Sequence, residues 1–174
     1  MSRPLNPVVI IPARLAATRF PDKPLADIHG VPMIVQVLRR AMEADVGPVL
    51  VACGDRAIAD AVEDAGGHAV MTDPDLPSGS DRVHEALSLF DPDGVHDAIV
   101  NVQGDLPTID PGVIVAVLDP FIDADVDITT LAVEITEPRE RTDPNVVKAV
   151  IALPAEDGGR NPKIGRALYF SRAT

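Results

Sequence analysis

A single cysteine, Cys53, is all that the 174-residue sequence contains, which excludes an intrachain disulfide and any cysteine-rich zinc site. Tryptophan is absent and aromatics make up 3% of the chain, too few for a protein that grips single-stranded nucleic acid by base stacking. Positive charge is scarce as well. Lys and Arg number 15 against 27 Asp and Glu, a formal net charge of −12 with a pI near 4.5. The chain therefore lacks the basic footprint that draws a protein to a nucleic-acid backbone or an anionic membrane. No apolar run approaches the ~20 residues of a membrane span, and Arg14 cuts the first run too early for a signal-peptide core. These absences predict a cytoplasmic protein with no nucleic-acid and no membrane partner. The four histidines, His29, His68, His84 and His96, are too dispersed for a metal spacing or a catalytic triad.

What is present is alternation. Short apolar runs at residues 8–13, 49–52, 68–71, 98–102 and 128–135 read as strands, and amphipathic stretches at 33–44, 57–65, 82–90 and 113–121 read as helices. That order predicts an α/β fold, doubly wound and Rossmann-like, around a mostly parallel sheet. Pro32 suits the first turn of the first helix, Gly66-Gly67 its successor's stop, and Asp110-Pro111 the N-cap and first turn of the fourth. Residues 146–153 and 167–170 read as later strands joined by a polar turn at 154–162, a β-hairpin near the C-terminal end. With no break in composition, a single domain over 1–174 is expected.

The first strand runs straight into cations. Val8-Val9-Ile10-Ile11, bounded by Pro7 and Pro12, reads as a strand covered on both faces, and Arg14, Arg19 and Lys23 follow in one turn-rich connection. Open α/β sheets bind ligands beyond the carboxyl ends of their strands, so these cations are candidates for an anion such as phosphate. The loop carries neither a Walker A sequence nor G-x-G-x-x-G, which removes the P-loop and dinucleotide readings. A solvated basic loop is the ordinary alternative. Asp105 follows the strand at 98–102 and offers one hard oxygen ligand of the kind Mg²⁺ takes alongside substrate phosphates; the alternative there is a plain Gly-Asp turn. Ser78 and Gly79 permit close approach to a nucleotide, and Arg82 can meet phosphate or base, while Ser80-Asp81 also fits a helix start. Gln103 can donate and accept toward a sugar acid or a pyrimidine edge, or brace its own loop. Cys53, at the end of an apolar strand, reads as a small buried residue rather than a nucleophile.

Taken together, Pro12-Ala13-Arg14 with Thr18-Arg19-Phe20-Pro21-Asp22-Lys23-Pro24-Leu25, then Ser78-Gly79-Ser80-Asp81-Arg82 and Asn101-Val102-Gln103-Gly104-Asp105, form an ordered series. It continues through Leu131-Ala132-Val133, Pro144-Asn145-Val146-Val147-Lys148 and Ala167-Leu168-Tyr169-Phe170-Ser171-Arg172-Ala173-Thr174. The series resembles the sugar cytidylyltransferases, most closely the 3-deoxy-manno-octulosonate (Kdo) branch, over nearly the whole chain. The resemblance implies Mg²⁺-dependent transfer of CMP from CTP to Kdo, giving CMP-Kdo and pyrophosphate for lipopolysaccharide synthesis. In that reading Arg14, Lys23 and Asp105 are catalytic, Asp105 through the metal. Arg14, Arg19, Lys23, Ser78, Gly79 and Arg82 bind nucleotide, and Gln103 and Arg172 bind the acidic sugar. Leu106 departs from the pattern, standing where close family members commonly carry Glu. The alternatives are an acylneuraminate or other acidic-sugar cytidylyltransferase, and a nucleotide-binding protein without turnover. The resemblance also implies a C-terminal continuation that supplies further sugar contacts, a second metal carboxylate and the surface of a homodimer. By that expectation the 174 residues are an incomplete transferase domain.

Overall fold

The computed structural model describes residues 6–15, 22–153 and 164–173. The chain divides into two compact units, Met1–Asp127 and Ile128–Thr174.

In the first unit, β1 (Pro7–Ala13) is followed by a 3-10 turn at Lys23–Leu25 and a small antiparallel pair, β2 (Asp27–Ile28) and β3 (Val31–Pro32). Next come α1 (Met33–Glu43), β4 (Val49–Cys53), α2 (Arg56–Asp64), β5 (His68–Met71), α3 (Gly79–Phe90), β6 (Ala98–Asn101) and α4 (Pro111–Ala116). Strands β5-β4-β1-β6 form one sheet in that order, every pair parallel. The doubly wound expectation holds, and β1 has a neighbour on each edge, with Ala13 opposite Cys53 and Ile10 opposite Asn101.

Strand periodicity sorts the core into two layers. Val9, Ile11, Val51 and Cys53 face Ile34, Leu38 and Ala41 of α1 and Ile58 and Val62 of α2. Val8, Ile10, Leu50 and Ala52 face Val83 and Ala86 of α3. This double cover explains why the first strand is an unbroken apolar run: Val8 through Ile11 have no exposed surface, and each such side chain contributes about 1.5–3 kcal/mol by leaving water.

Element ends follow local chemistry. The Asp110 side chain accepts from Gly112 N at 2.8 Å with Pro111 in the first turn, as expected. That helix stops at Ala116, short of the expected 121, and residues 119–122 form a 3-10 turn, because Pro120 has no N–H to continue the ladder. Pro32 sits at the N-cap of α1 rather than inside its first turn. Gly66, in the left-handed region at φ 78°, closes α2. Helix α3 begins at Gly79, three residues before the expected 82, because the Ser78 side chain caps it by accepting from Asp81 N.

The second unit holds the expected hairpin, β7 (Lys148–Ala152) antiparallel to β8 (Arg166–Ser171), with a register shift between Val150 and Ile151. The expected connecting turn at 154–162 lies outside the described residues. The strand expected at 128–135 is corrected: those residues form no ladder among the described residues, and Ile128 and Val133 are each 88% exposed. Apolar alternation supplies strand propensity, but a strand exists only against a partner backbone. No helix among the described residues is long and apolar enough to cross a membrane.

Cys53 is fully buried at the end of β4, its S–H directed at Val51 O. Burial first, and then the negative charge of Glu63, push its thiol from the ordinary 9.0 up to about 12. Below pH 9 both folded and unfolded chains hold this proton and it contributes nothing. Above pH 9 the unfolded chain releases it while the native state keeps it, so stability falls as pH rises toward 12, by up to about 1.4 kcal/mol per pH unit. Urea midpoints at pH 8 and pH 10.5 should therefore lie closer together in Cys53→Ala than in the wild type; an identical separation would show that the thiol titrates normally.

Candidate active site at the carboxyl ends of the central strands

Successive strands β1, β4 and β5 build the sheet in one direction, and β6 joins on the other side of β1. The strand order therefore reverses at β1/β6, where open α/β sheets leave a crevice beyond the carboxyl ends. Arg14 follows one of these strands and Asp105 the other.

The walls of this end are tightly built. Val102 N donates to Ile10 O at 3.1 Å, extending the β1–β6 ladder. A Cβ at Gly104 would lie 2.8 Å from Pro12 O, so only glycine lets the 102–105 turn close onto β1. On its other side Pro12 meets the start of α3, where a Cβ at Gly79 would be 3.5 Å from Pro12 Cγ. The first N–H groups of α3, which have no partner within the helix, thus begin beside the end of β1.

Lys23 is brought to Asp105 across 82 residues of sequence: its Nζ donates to Asp105 Oδ2 at 2.8 Å. The 3-10 turn holds it there, with Leu25 N on Asp22 O at 2.8 Å, Pro24 buried, and Leu25 packed against the core. Both side chains stay about half open to solvent, 41% and 52% exposed. Arg14 is exposed and has no side-chain partner among the described residues. Arg19 lies outside the described residues.

Ser78 and Gly79 stand at the start of α3. The Ser78 hydroxyl is committed to Asp81, accepting from its N–H at 3.2 Å and donating to its carboxylate. Gln103 is exposed just past β6, its Nε2 donating to Asn101 Oδ1 at 3.2 Å. Arg82 departs from the expectation of a nucleotide-facing guanidinium. It is 2% exposed, and it donates to Thr72 Oγ1 and, at 3.2 Å, to Pro74 O. With the cap at Ser78, residue 82 falls one turn into the helix on its inner face, so the side chain points into the protein. Arg172 belongs to the second unit, where its Nη1 donates to Pro144 O and Asn145 O, each at 3.2 Å, and holds that turn to the end of β8.

Sequence reasoning passed over Gly54, Asp55 and Thr72. Thr72 donates through both its N–H (2.9 Å) and its hydroxyl (3.0 Å) to Cys53 O. Gly54 lies against the Arg82 guanidinium, where a Cβ would fall 2.9 Å from Nη1 and 3.0 Å from Cζ. Asp55 Oδ2 accepts from Leu15 N at 2.8 Å. The signal was available: Gly54-Asp55 after β4 repeats the Gly104-Asp105 pair after β6.

Chemically, the crevice offers two cations to an anion and one carboxylate to a hard metal ion. Residues 8–174 match the sequence model of a family described as cytidylyltransferase. The chain is 66% identical over 171 residues to a 3-deoxy-manno-octulosonate cytidylyltransferase of Rhodospirillum centenum, a match covering 98% of this chain and 65% of that protein. It is 63% identical over 169 residues to a 3-deoxy-manno-octulosonate cytidylyltransferase of Rhodospirillum rubrum, covering 97% and 65%. Among solved structures, a CMP:2-keto-3-deoxy-manno-octonic acid synthetase complexed with CTP superposes with a TM-score of 0.78 at 36% identity, over 97% of this chain and 64% of that one. The chain thus spans about two thirds of the length of the relatives it matches, 65% for the two Rhodospirillum proteins.

The contact between Gly54 and Arg82 can be tested by stability alone. Gly54→Ala should destabilise by about 1–3 kcal/mol, because its methyl must displace the guanidinium from Thr72 and Pro74. In an Arg82→Met background the same substitution should cost less, and urea denaturation of the four proteins gives the coupling. Strict additivity would mean that the two residues do not press on each other.

Proposed function

We propose that this chain, which belongs to the cytidylyltransferase family, transfers CMP from CTP to Kdo and releases pyrophosphate. The product is an activated sugar of the kind used in lipopolysaccharide synthesis. The observation that carries this reading is the meeting of Lys23 and Asp105 at the β1/β6 crevice beside Arg14. A lysine and an arginine there are opposite in sign to a triphosphate. The names borne by relatives 66% and 63% identical to the chain support Kdo as acceptor.

In the proposed reaction the anomeric hydroxyl of Kdo attacks the α-phosphorus. A new P–O bond forms, the bond to the pyrophosphate oxygen breaks, and the sugar hydroxyl proton leaves to solvent or base. Arg14 and Lys23 hold the triphosphate oxygens and stabilise the charge that moves onto pyrophosphate, so positioning and electrostatics do the work without a protein nucleophile. Gln103, exposed past β6, is the residue to which this reading gives the contact with the sugar acid. Asp105 suits Mg²⁺: it presents one half-exposed hard oxygen donor, and Mg²⁺ takes one or two protein carboxylates and fills its shell with waters and phosphates. When bound, the ion would supply Lewis-acid stabilisation of the phosphate oxygens.

Pyrophosphate release should be measured with CTP and Mg²⁺ in the protein at the full length its gene encodes, in parallel with Kdo, with an acylneuraminate and with no sugar. Release with Kdo alone is expected. Preference for the acylneuraminate would move the protein to the other acidic-sugar branch, and CTP binding without release would make it a binding protein.

Two substitutions probe the residues. Asp105→Asn, nearly constant in volume, should lower kcat by at least about 100-fold with the fold intact; unchanged metal dependence would remove Asp105 from the metal site. Lys23→Ala should raise KM for CTP by about 10-fold or more, the loss of one charged hydrogen bond. Without nucleotide the same variant should bind Mn²⁺ up to about 5-fold more tightly, because Asp105 loses an exposed ion pair worth up to about 1 kcal/mol. Electron paramagnetic resonance titration of free Mn²⁺ reads this, and weaker binding in Lys23→Ala would contradict it.

A further inference from the structure

Arg14 is exposed and no side chain among the described residues fixes its direction. Where its guanidinium reaches is therefore set by its backbone, and that backbone is held on both sides by one dipeptide. Before Arg14, Ala13 O accepts from Gly54 N at 3.0 Å. After it, Leu15 N donates to Asp55 Oδ2 at 2.8 Å. The β1–β4 ladder ends at Ala13 opposite Cys53, and the Asp55 side chain supplies the next acceptor after the strand has ended.

Asp55 makes this bond in place of a more local one. It occupies the N-cap of α2 in extended geometry, where an aspartate ordinarily accepts from the first turn of its own helix, yet its side chain makes no capping bond. The carboxylate instead reaches back 40 residues to the loop that follows β1. Its footing is firm. Gly54 is pressed onto the buried Arg82 guanidinium, which Thr72 and Pro74 hold in turn. The dipeptide has little freedom to shift, and the peptide units flanking Arg14 inherit that constraint.

We infer that Asp55 is a positioning residue for nucleotide binding: through Leu15 N it aims Arg14 at the triphosphate without touching substrate itself. The inference rests on the proposed triphosphate role of Arg14. It makes the carbonyl-type acceptor at this position the requirement, and the negative charge dispensable. Asparagine retains an acceptor at nearly the same point. Glutamate retains the charge but carries it one methylene farther out, and alanine retains neither.

The experiment measures CTP affinity by calorimetry and KM and kcat by pyrophosphate release, in the protein at its full encoded length. The proteins are wild type, Asp55→Ala, Asp55→Asn, Asp55→Glu, Arg14→Ala and the Arg14→Ala/Asp55→Ala pair, with urea midpoints to show that each is folded. Asp55→Ala and Asp55→Glu should weaken CTP binding by about 10-fold and lower kcat/KM by at least as much, while Asp55→Asn restores most of both. In the Arg14→Ala background, adding Asp55→Ala should change CTP affinity by less than about 2-fold, since the residue it positions is gone. Four results overturn the inference. A full effect of Asp55→Ala in both backgrounds would mean that Asp55 acts independently of Arg14. Activity in Asp55→Glu but not in Asp55→Asn would make it a charge, not an acceptor. Unchanged CTP affinity in Asp55→Ala beside a weakened Arg14→Ala would remove the positioning role and leave the Arg14 assignment standing, whereas an unaffected Arg14→Ala would remove both.

Discussion

Strand β1 is hydrogen-bonded on both edges and buried on both faces, and every candidate group of the first unit is placed relative to where it stops. Its four central residues, Val8 to Ile11, have no solvent exposure, so the strand can neither slide nor tilt without opening two core layers. A one-residue slip would exchange the layer of Val9 and Ile11 for that of Val8 and Ile10. Register with β4 and β6 is accordingly secure, and the chain leaves the sheet at Arg14 at a defined point. The binding end of the molecule is thus precise because its centre is dry and apolar.

Two strand ends use the same dipeptide for opposite purposes. After β6, Gly104 lets the turn close on Pro12 O while Asp105 reaches outward to Lys23. After β4, Gly54 lets the chain lie on the Arg82 guanidinium while Asp55 reaches inward to Leu15 N. In each case glycine permits a close backbone approach and aspartate spends its carboxylate on a group distant in sequence. The outward carboxylate is half exposed and holds its lysine in a pair open to solvent. The inward one is tied to a backbone amide, an arrangement suited to holding a loop.

The Lys23–Asp105 pair also bears on how an acidic protein receives a polyanion. With a net charge of −12, the chain as a whole repels a nucleoside triphosphate, and the local charge of the crevice has to oppose that. In the absence of ligand, Asp105 neutralises part of the cationic charge. Under the proposed function, a metal ion arriving with the triphosphate would give Asp105 a new partner and free Lys23 for phosphate. Because the pair is solvent-exposed, breaking it costs little.

Much of this was legible in the chain, for reasons that are local. Alternating apolar runs located β1, β4, β5 and β6, because burial on both faces demands continuous apolar residues. Asp110-Pro111 marked the start of α4, because a cap and its helix are neighbours in sequence. Arg14 and Asp105 were recognisable as candidates from their places beyond strands, and Lys23 from the cationic connection that follows β1. The misreadings share one cause. Residues 128–135 have the pattern of a strand, but a ladder needs a second backbone that no local pattern supplies. Arg82 looked like a ligand because a basic residue in a Ser-Gly-rich segment suits an anion; the Ser78 cap moved the helix start and turned that side chain inward to Thr72. Asp55 went unnoticed because its partner, Leu15 N, is 40 residues away. The sequence by itself determined which segments are buried and which residues could carry charge at their ends, since both depend on side chains and their immediate neighbours. Only the tertiary structure decided which of those charges meet and which way each one points, since that depends on strand order, helix phase and contacts between residues far apart along the chain.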